Sequence, residues 1–326
     1  MAEINSNTKY TFLELAKRTN DGMVLEIAEV MNETNEILLD IPWFRCNKMD
    51  YEKLSRRTYL PSGTWRQANK GIRTTLSSTQ EVIEHVGRLE DRSEIDEIYT
   101  EGLNNTEVAA LRQQEDIAHT EGLSQQMADA LFESTTSGTP EQINGFQIRL
   151  NDTAQTNVIS GGGSTTLTSV YVIDWGRRGA YGIYSGSQGI LGLEAKNKGK
   201  EKLFDSDDLP YYGWVTQFIW NAGLAVKDEL KTGRYANINS TLGGSSTFDE
   251  DNLIQLLNEC HFNLATTRLY MNKRMKTQMQ IRAKDKANMY WTEPVSALSG
   301  SPILMFNGAI VRTCEAIKNI ETQVTT

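Results

Sequence analysis

The sequence predicts an α+β fold, and three observations carry that expectation. Stretches that alternate with period two and stretches with helical period both occur. They do not follow one another as regular strand–helix–strand units, which argues against a parallel doubly wound sheet. A long, polar, strand-like ribbon also runs directly into one unusually long helical stretch.

Residues 11–40, "TFLELAKRTNDGMVLEIAEVMNETNEILLD", read as helical. Phe12, Leu15 and Ala16 share one face, as do Val24, Ile27, Ala28 and Met31. Gly22 is expected to split the helix in two. At "IPWF" the chain must extend, because Ile41 before Pro42 is pushed out of the α region.

Residues 43 to about 98 read as a two-arm β-ribbon. "WFRCNK" and "SRRTYLP" form the outgoing arm, and the tip lies near "SGTWRQANKG". On the return arm Val82, Glu84 and Val86 alternate with Ile83 and His85. A ribbon of this kind buries too little apolar surface to stand alone and must lie on something. Its charge is uneven. From Trp43 to Arg73 stand Arg45, Lys48, Lys53, Arg56, Arg57, Arg66, Lys70 and Arg73, against only Asp50 and Glu52. The following "EVIEHVGRLEDRSEIDEIYTE" is acidic. A basic arm followed by an acidic one suggests a ribbon that seeks complementary surface.

Residues 105–133 form the next helix, with Asn105 or Thr106 as cap and Glu107 favouring the first turn. About 28 residues at the α-helical rise span roughly 42 Å, the length of a strut. "STTSGTPEQINGF" is a loop, "SGGGSTTLTS" a flexible connection and "VYVIDW" a strand. Residues 211–239 read as one or two long strands with a bulge at Gly223. "TFDEDNLIQLLNECHFNLA" is an amphipathic helix capped by Thr247 or Asp249. A short strand and a helix follow in "TTRLYMNKRMKTQMQIRAKDK", and "MFNGAIV" closes as a hairpin around Asn-Gly.

Composition narrows function. A chain of 326 residues with net charge -9 is a poor general nucleic-acid binder. Neither a signal peptide nor a transmembrane run is visible, which predicts a cytoplasmic origin and no membrane partner. Cys46, Cys260 and Cys314 are too dispersed for a zinc ribbon or a redox pair and read as buried thiols. "SGGGS" lacks the Lys of a phosphate-binding loop. "DSDDLP" has Pro210 where a calcium loop needs Gly. "SGSQG" fails the nucleophile-elbow pattern. Glu115 and His119 sit one helical turn apart without a second pair to complete a metal site. No catalytic residue, metal ligand or cofactor site is therefore assigned. Trp65, among basic neighbours at the ribbon tip, is instead of the type that anchors protein interfaces.

The runs "LPSGTWRQANKGI", "VGRLEDRSEID", "RQQEDIAHTEGLSQQMADALF", "YVIDWGRRGAYGIYSGSQGILGLE" and "QFIWNAGLAVKD" resemble those of tailed-bacteriophage major capsid proteins of the Hong Kong 97-like fold, in particular of short-tailed phages. The resemblance covers residues 10 to 317 and carries no catalytic signature. It implies an N-terminal arm (1–42), an extended E-loop hairpin (43–103), a peripheral domain with a spine helix (104–159), an axial domain with remaining peripheral strands (160–300) and C-terminal strands (301–326). It also implies self-assembly into hexamers and pentamers of an icosahedral shell around double-stranded DNA, in a virion whose subunits are made in the bacterial cytoplasm. A separate scaffolding protein, a portal and a decoration protein are the other implied partners. On this reading Arg56, Arg57, Tyr59, Leu60, Trp65, Arg66, Lys70 and Arg73 contact a neighbouring subunit. Two rivals remain. One is a metal-dependent hydrolase built on Asp205, Asp207 and Asp208, which requires tight divalent-cation binding. The other is a nucleic-acid binder built on the basic ribbon, which requires salt-dependent DNA affinity.

Overall fold

A computed structural model describes residues 19–20, 23–24, 35–185, 193–284, 291–292 and 304–325. Its elements, in chain order, are β1 (Thr19–Asn20), β2 (Met23–Val24), α1 (Ile37–Asp40), β3 (Trp43–Arg45), β4 (Tyr51–Tyr59), β5 (Ser78–His85), β6 (Gly87–Asp96), α2 (Asn105–Glu133), α3 (Phe146–Arg149), β7 (Val158–Ser160), β8 (Leu167–Asp174), β9 (Ala180–Tyr184), β10 (Leu193–Phe204), β11 (Pro210–Val226), β12 (Thr232–Asn239), α4 (Glu250–Glu259), β13 (Thr267–Met271), α5 (Lys273–Lys284), β14 (Trp291–Thr292), β15 (Met305–Phe306) and β16 (Ala309–Thr313). Contacts divide the described residues into two units. The first holds 19–20, 23–24, 88–127 and 193–221, and the second holds the rest. The helix α2 and the strand β11 each run through both.

In the first unit β10 and β11 form a long antiparallel hairpin, and β6 adds to β11. The amino-terminal part of α2 is capped one residue earlier than its sequence pattern indicates. Asn104, not Asn105 or Thr106, is the cap. Its side chain accepts from the amides of Thr106 and Glu107 at 3.0 Å, while Glu107 accepts from the Asn104 amide at 2.8 Å. This reciprocal arrangement satisfies amides that the helix cannot. Trp214 is held between cations, with Arg112 4.9 Å and Lys200 5.1 Å from its ring.

The second unit is built on a seven-stranded mixed sheet, β14-β15-β16-β13-β8-β12-β7. Every residue of β8 is buried, and the run 170–173 within it is apolar on both faces apart from the Tyr171 hydroxyl. Val170 and Val172 on one face meet Leu253, Leu256, Met275 and Met279 of α4 and α5. Tyr171 on the other meets Phe132 with ring centroids 5.0 Å apart, in an aromatic series that continues through Phe146, Trp175 and Tyr270. Arg234, fully buried, donates to Ser169, to the Leu150 carbonyl and to Glu321, each at 2.9 Å. The C-terminal segment is thereby tied to the sheet.

Three expectations change. Thr19–Asn20 pairs antiparallel with Met23–Val24, so the helix expected over 11–40 is replaced there by a strand pair; Asp-Gly between two short strands is itself a hairpin signal. Of the remainder, α1 is helical, and 11–18 and 25–34 lie outside the described residues. Gly223 marks no bulge, because β11 stays in register with β9 through it. A Cβ there would lie 2.6 Å from the His85 carbonyl oxygen, and close backbone approach is what the glycine permits. "SGGGS" is not a loose connection either. Gly161 and Gly163 donate to the carbonyls of Ala236 and Asn237 at 2.8 and 2.9 Å. The Asn-Gly hairpin and the Asp249 cap stand as the sequence indicates, with Asn307 and Gly308 both at positive φ.

Candidate contact surface on the β-ribbon

The arms β4 and β5 pair antiparallel from Tyr51↔His85 to Tyr59↔Ser78 and form a sheet of two strands only. One face of the base is buried. Leu54 joins Cys46, Tyr181, Ile183 and Ala225, with Val82 and Val86 packed against them. Ile83 and His85, on the alternate face, are exposed. Burial pushes the Cys46 thiol up to about 12, with Glu52 and Asp50 adding to the effect. It is an inert packing group at neutral pH.

The same buried face carries two carboxylates directly opposite one another, Glu52 and Glu84. Like charges in that register repel. Each is therefore compensated separately. Glu84 accepts both terminal nitrogens of Arg149, at 2.6 and 2.7 Å. Glu52 accepts the Asn47 amide at 2.6 Å and the Tyr181 hydroxyl at 3.3 Å. Sequence alternation put Glu84 in line with Val82 and Val86 but gave no sign of its partner, which lies 65 residues away.

Arg56 finishes the anchor. Its guanidinium donates to the carbonyls of Lys227 at 2.9 Å and Val226 at 2.5 Å, and pairs with Glu229. The guanidinium is thus engaged within its own chain at the base of the ribbon. Beyond it the ribbon changes character, for every residue from 57 to 81 is exposed. Trp65 is 102% exposed, Tyr59 54% and Leu60 69%, joined by Ile72 and Leu76. Arg66 Nε donates to the Lys70 carbonyl at 2.6 Å and folds the turn in which Asn69 adopts φ 63°. The side chains of Arg57, Lys70 and Arg73 have no acidic partner among the described residues. From 57 to 80 the chain holds four cations and no carboxylate.

The other candidate motifs have local roles. Asp205 Oδ1 accepts the amides of Asp207 and Leu209, both at 2.9 Å, and so folds the β10–β11 turn. Among the described residues no group of three or more His, Cys, Asp or Glu is placed to hold a metal. His119 lies between Asp91, 2.5 Å from Nδ1, and Glu115, 3.5 Å from Nε2, and stacks on Phe218. Hydrogen bonding to Glu115 and then to Asp91 raises it to about 9, against the opposing effect of burial.

The ribbon tip thus leaves large aromatic and apolar side chains in water beside cations unpaired among the described residues, which marks an interaction surface. Residues 19–325 match the family model of the major capsid protein GP7. The chain belongs to this family. The major capsid protein is a structural subunit of the virion shell and not an enzyme. A chain in the cryo-EM structure of bacteriophage Epsilon15 superposes with a TM-score of 0.76 at 22% identity, covering 100% of each chain. A chain of the bacteriophage JBD30 capsid superposes with a TM-score of 0.52 at 9% identity, over 88% of this chain and 93% of that one. These likenesses establish the Hong Kong 97-like fold. No curated protein sequence matches the chain.

Proposed function

We propose that this capsid protein builds hexamers and pentamers by laying the ribbon tip of each subunit across the next. One observation carries the reading: a run of exposed residues from 57 to 81 that includes a fully exposed Trp65. Large apolar side chains left in water mark an interaction surface. Tyr59, Leu60 and Trp65 fill a groove on the neighbour, and Arg57, Arg66, Lys70 and Arg73 meet its carboxylates. Arg56 holds the base of the ribbon so that the tip is delivered in a fixed direction. Such a contact is heterologous, and closes into rings when the rotation is a whole fraction of a turn.

In this scheme 1–42 is the N-terminal arm, 43–103 the E-loop, 104–159 the peripheral domain with its spine helix, 160–300 the axial domain with remaining peripheral strands, and 301–326 the C-terminal strands. Subunits are made in the bacterial cytoplasm and assemble with a separate scaffolding protein and a portal. The net charge of -9 limits adhesion to packaged double-stranded DNA. Electron microscopy of Trp65→Ala tests the contact. Loss of shells with unchanged far-ultraviolet circular dichroism is expected, and normal shells from the variant would remove Trp65 from the interface.

A further inference from the structure

A groove of about 530 Å³ opens between the base of the ribbon and the turn that joins β11 to β12. Its wall carries Thr58, Gln80 and four cations, Arg56, Arg57, Arg178 and Lys227. Arg57, Arg178 and Lys227 are exposed, and none of these three has an acidic partner among the described residues. Two acids, Asp228 and Glu229, line it as well. Glu229 holds Arg56, and Asp228 accepts the Leu230 amide at 3.1 Å. Arg57, Arg178 and Lys227 against the single remaining carboxylate of Asp228 leave this concave site with net positive charge.

The chain also carries a matching projection. The β10–β11 hairpin narrows to a turn between Phe204 and Pro210. Asp205 folds that turn, whereas Asp207 and Asp208 stand exposed with no cationic partner among the described residues. Phe204 and Leu209, flanking them, are 56% and 62% exposed. Two carboxylates on a hydrogen-bonded turn, bordered by apolar side chains, have the charge and shape of an interface plug.

We infer that the acidic hairpin tip of one subunit docks, through Asp207 and Asp208, into the groove formed by Arg57, Arg178 and Lys227 of a second copy. The inference rests on the reading that the chain assembles with itself. It concerns a contact at the root of the ribbon that shares only Arg57 with the one around Trp65. It also gives a role to the acidic loop, which the turn geometry explains only as far as Asp205. Opposite charges in a concave site fix register, and like charges placed there oppose docking.

The test is charge reversal on each side, with shells counted by electron microscopy after expression alongside the neighbouring phage genes. Asp207→Lys with Asp208→Lys, and Arg178→Glu with Lys227→Glu, are each expected to lower the shell yield by about tenfold. All four positions are exposed, so the subunits should melt near the wild-type temperature. The fourfold variant restores the attraction with signs exchanged and should recover wild-type yield within about twofold. Asp207→Cys with Lys227→Cys, oxidised in assembled shells, should give a ladder of covalently linked chains, since Cys46, Cys260 and Cys314 are buried. Wild-type yield from both reversals would overturn the inference, as would no recovery in the fourfold variant. A disulfide closing within one chain would overturn it too. If the wild type itself forms no shells, the assembly reading fails first and takes this contact with it.

Discussion

Replacing Glu84 by Ala probes the attachment of the ribbon most sharply. The carboxylate has 5% of its side-chain surface exposed and the Arg149 guanidinium 18%, so the pair is nearly dry. Removing one member of a buried pair costs about 3–5 kcal/mol, because the other charge is left without a partner. Arg149 would keep its contacts to the Asn144 carbonyl, at 3.1 and 3.2 Å, and to the Leu224 carbonyl at 3.4 Å. Those neutral acceptors place the expected loss at the lower end, about 3 kcal/mol. Against a total stability of about 5–15 kcal/mol that is a large fraction. Urea unfolding of the unassembled full-length chain, followed by tryptophan fluorescence, should show the midpoint fall by about 1–2 M. The double variant Glu84→Ala with Arg149→Met, which leaves no stranded charge, should recover most of the loss. A single-variant loss below about 1 kcal/mol, or no recovery in the double variant, would refute the argument that this pair fixes the ribbon to its own subunit.

Three further outcomes follow from the same physics. Asn104→Ala removes the cap of α2 and should cost about 1 kcal/mol in the same unfolding assay. Gly223→Ala forces a Cβ against the His85 carbonyl and should cost about 1–3 kcal/mol, whereas at the open position Gly122 the same change should be neutral or stabilising. His119 is raised in the folded chain to about 9 from an ordinary value of 6.5. Its contribution is therefore full below about pH 6.5 and is lost as the pH rises through about 9. The melting temperature should fall over that window by more in the wild type than in His119→Asn, and equal falls would show that His119 is not the group responsible.

The helices and strands with strong periodicity were legible in the sequence, and so was the ribbon. Val82, Glu84 and Val86 turn inward and Ile83 and His85 outward, as their alternation indicates. The long helix begins and ends where its apolar pattern does. What the sequence could not supply were partners distant along the chain. Arg56 looked like the rest of the basic arm, yet its carbonyl acceptors and Glu229 lie about 170 residues on and are brought to it only by β11. Gly223 looked like a bulge because a glycine in a strand has two readings, and only the position of His85 decides between them. Asn104 and Asn105 are indistinguishable as caps in sequence, because two adjacent asparagines offer the same cap one residue apart. Asp207 and Asp208 resembled a metal loop for as long as the role of Asp205 in the turn was hidden.

The central claim is that the ribbon tip is exposed in the subunit in order to be covered in the shell. A cryo-EM density map of assembled particles measures this directly. The account predicts that Trp65, with Tyr59 and Leu60, lies buried against the adjacent subunit while Arg56 keeps its bonds to Val226, Lys227 and Glu229 of its own chain. A shell in which Trp65 remains in solvent, or in which Arg56 has left its own chain for the neighbour, would contradict it.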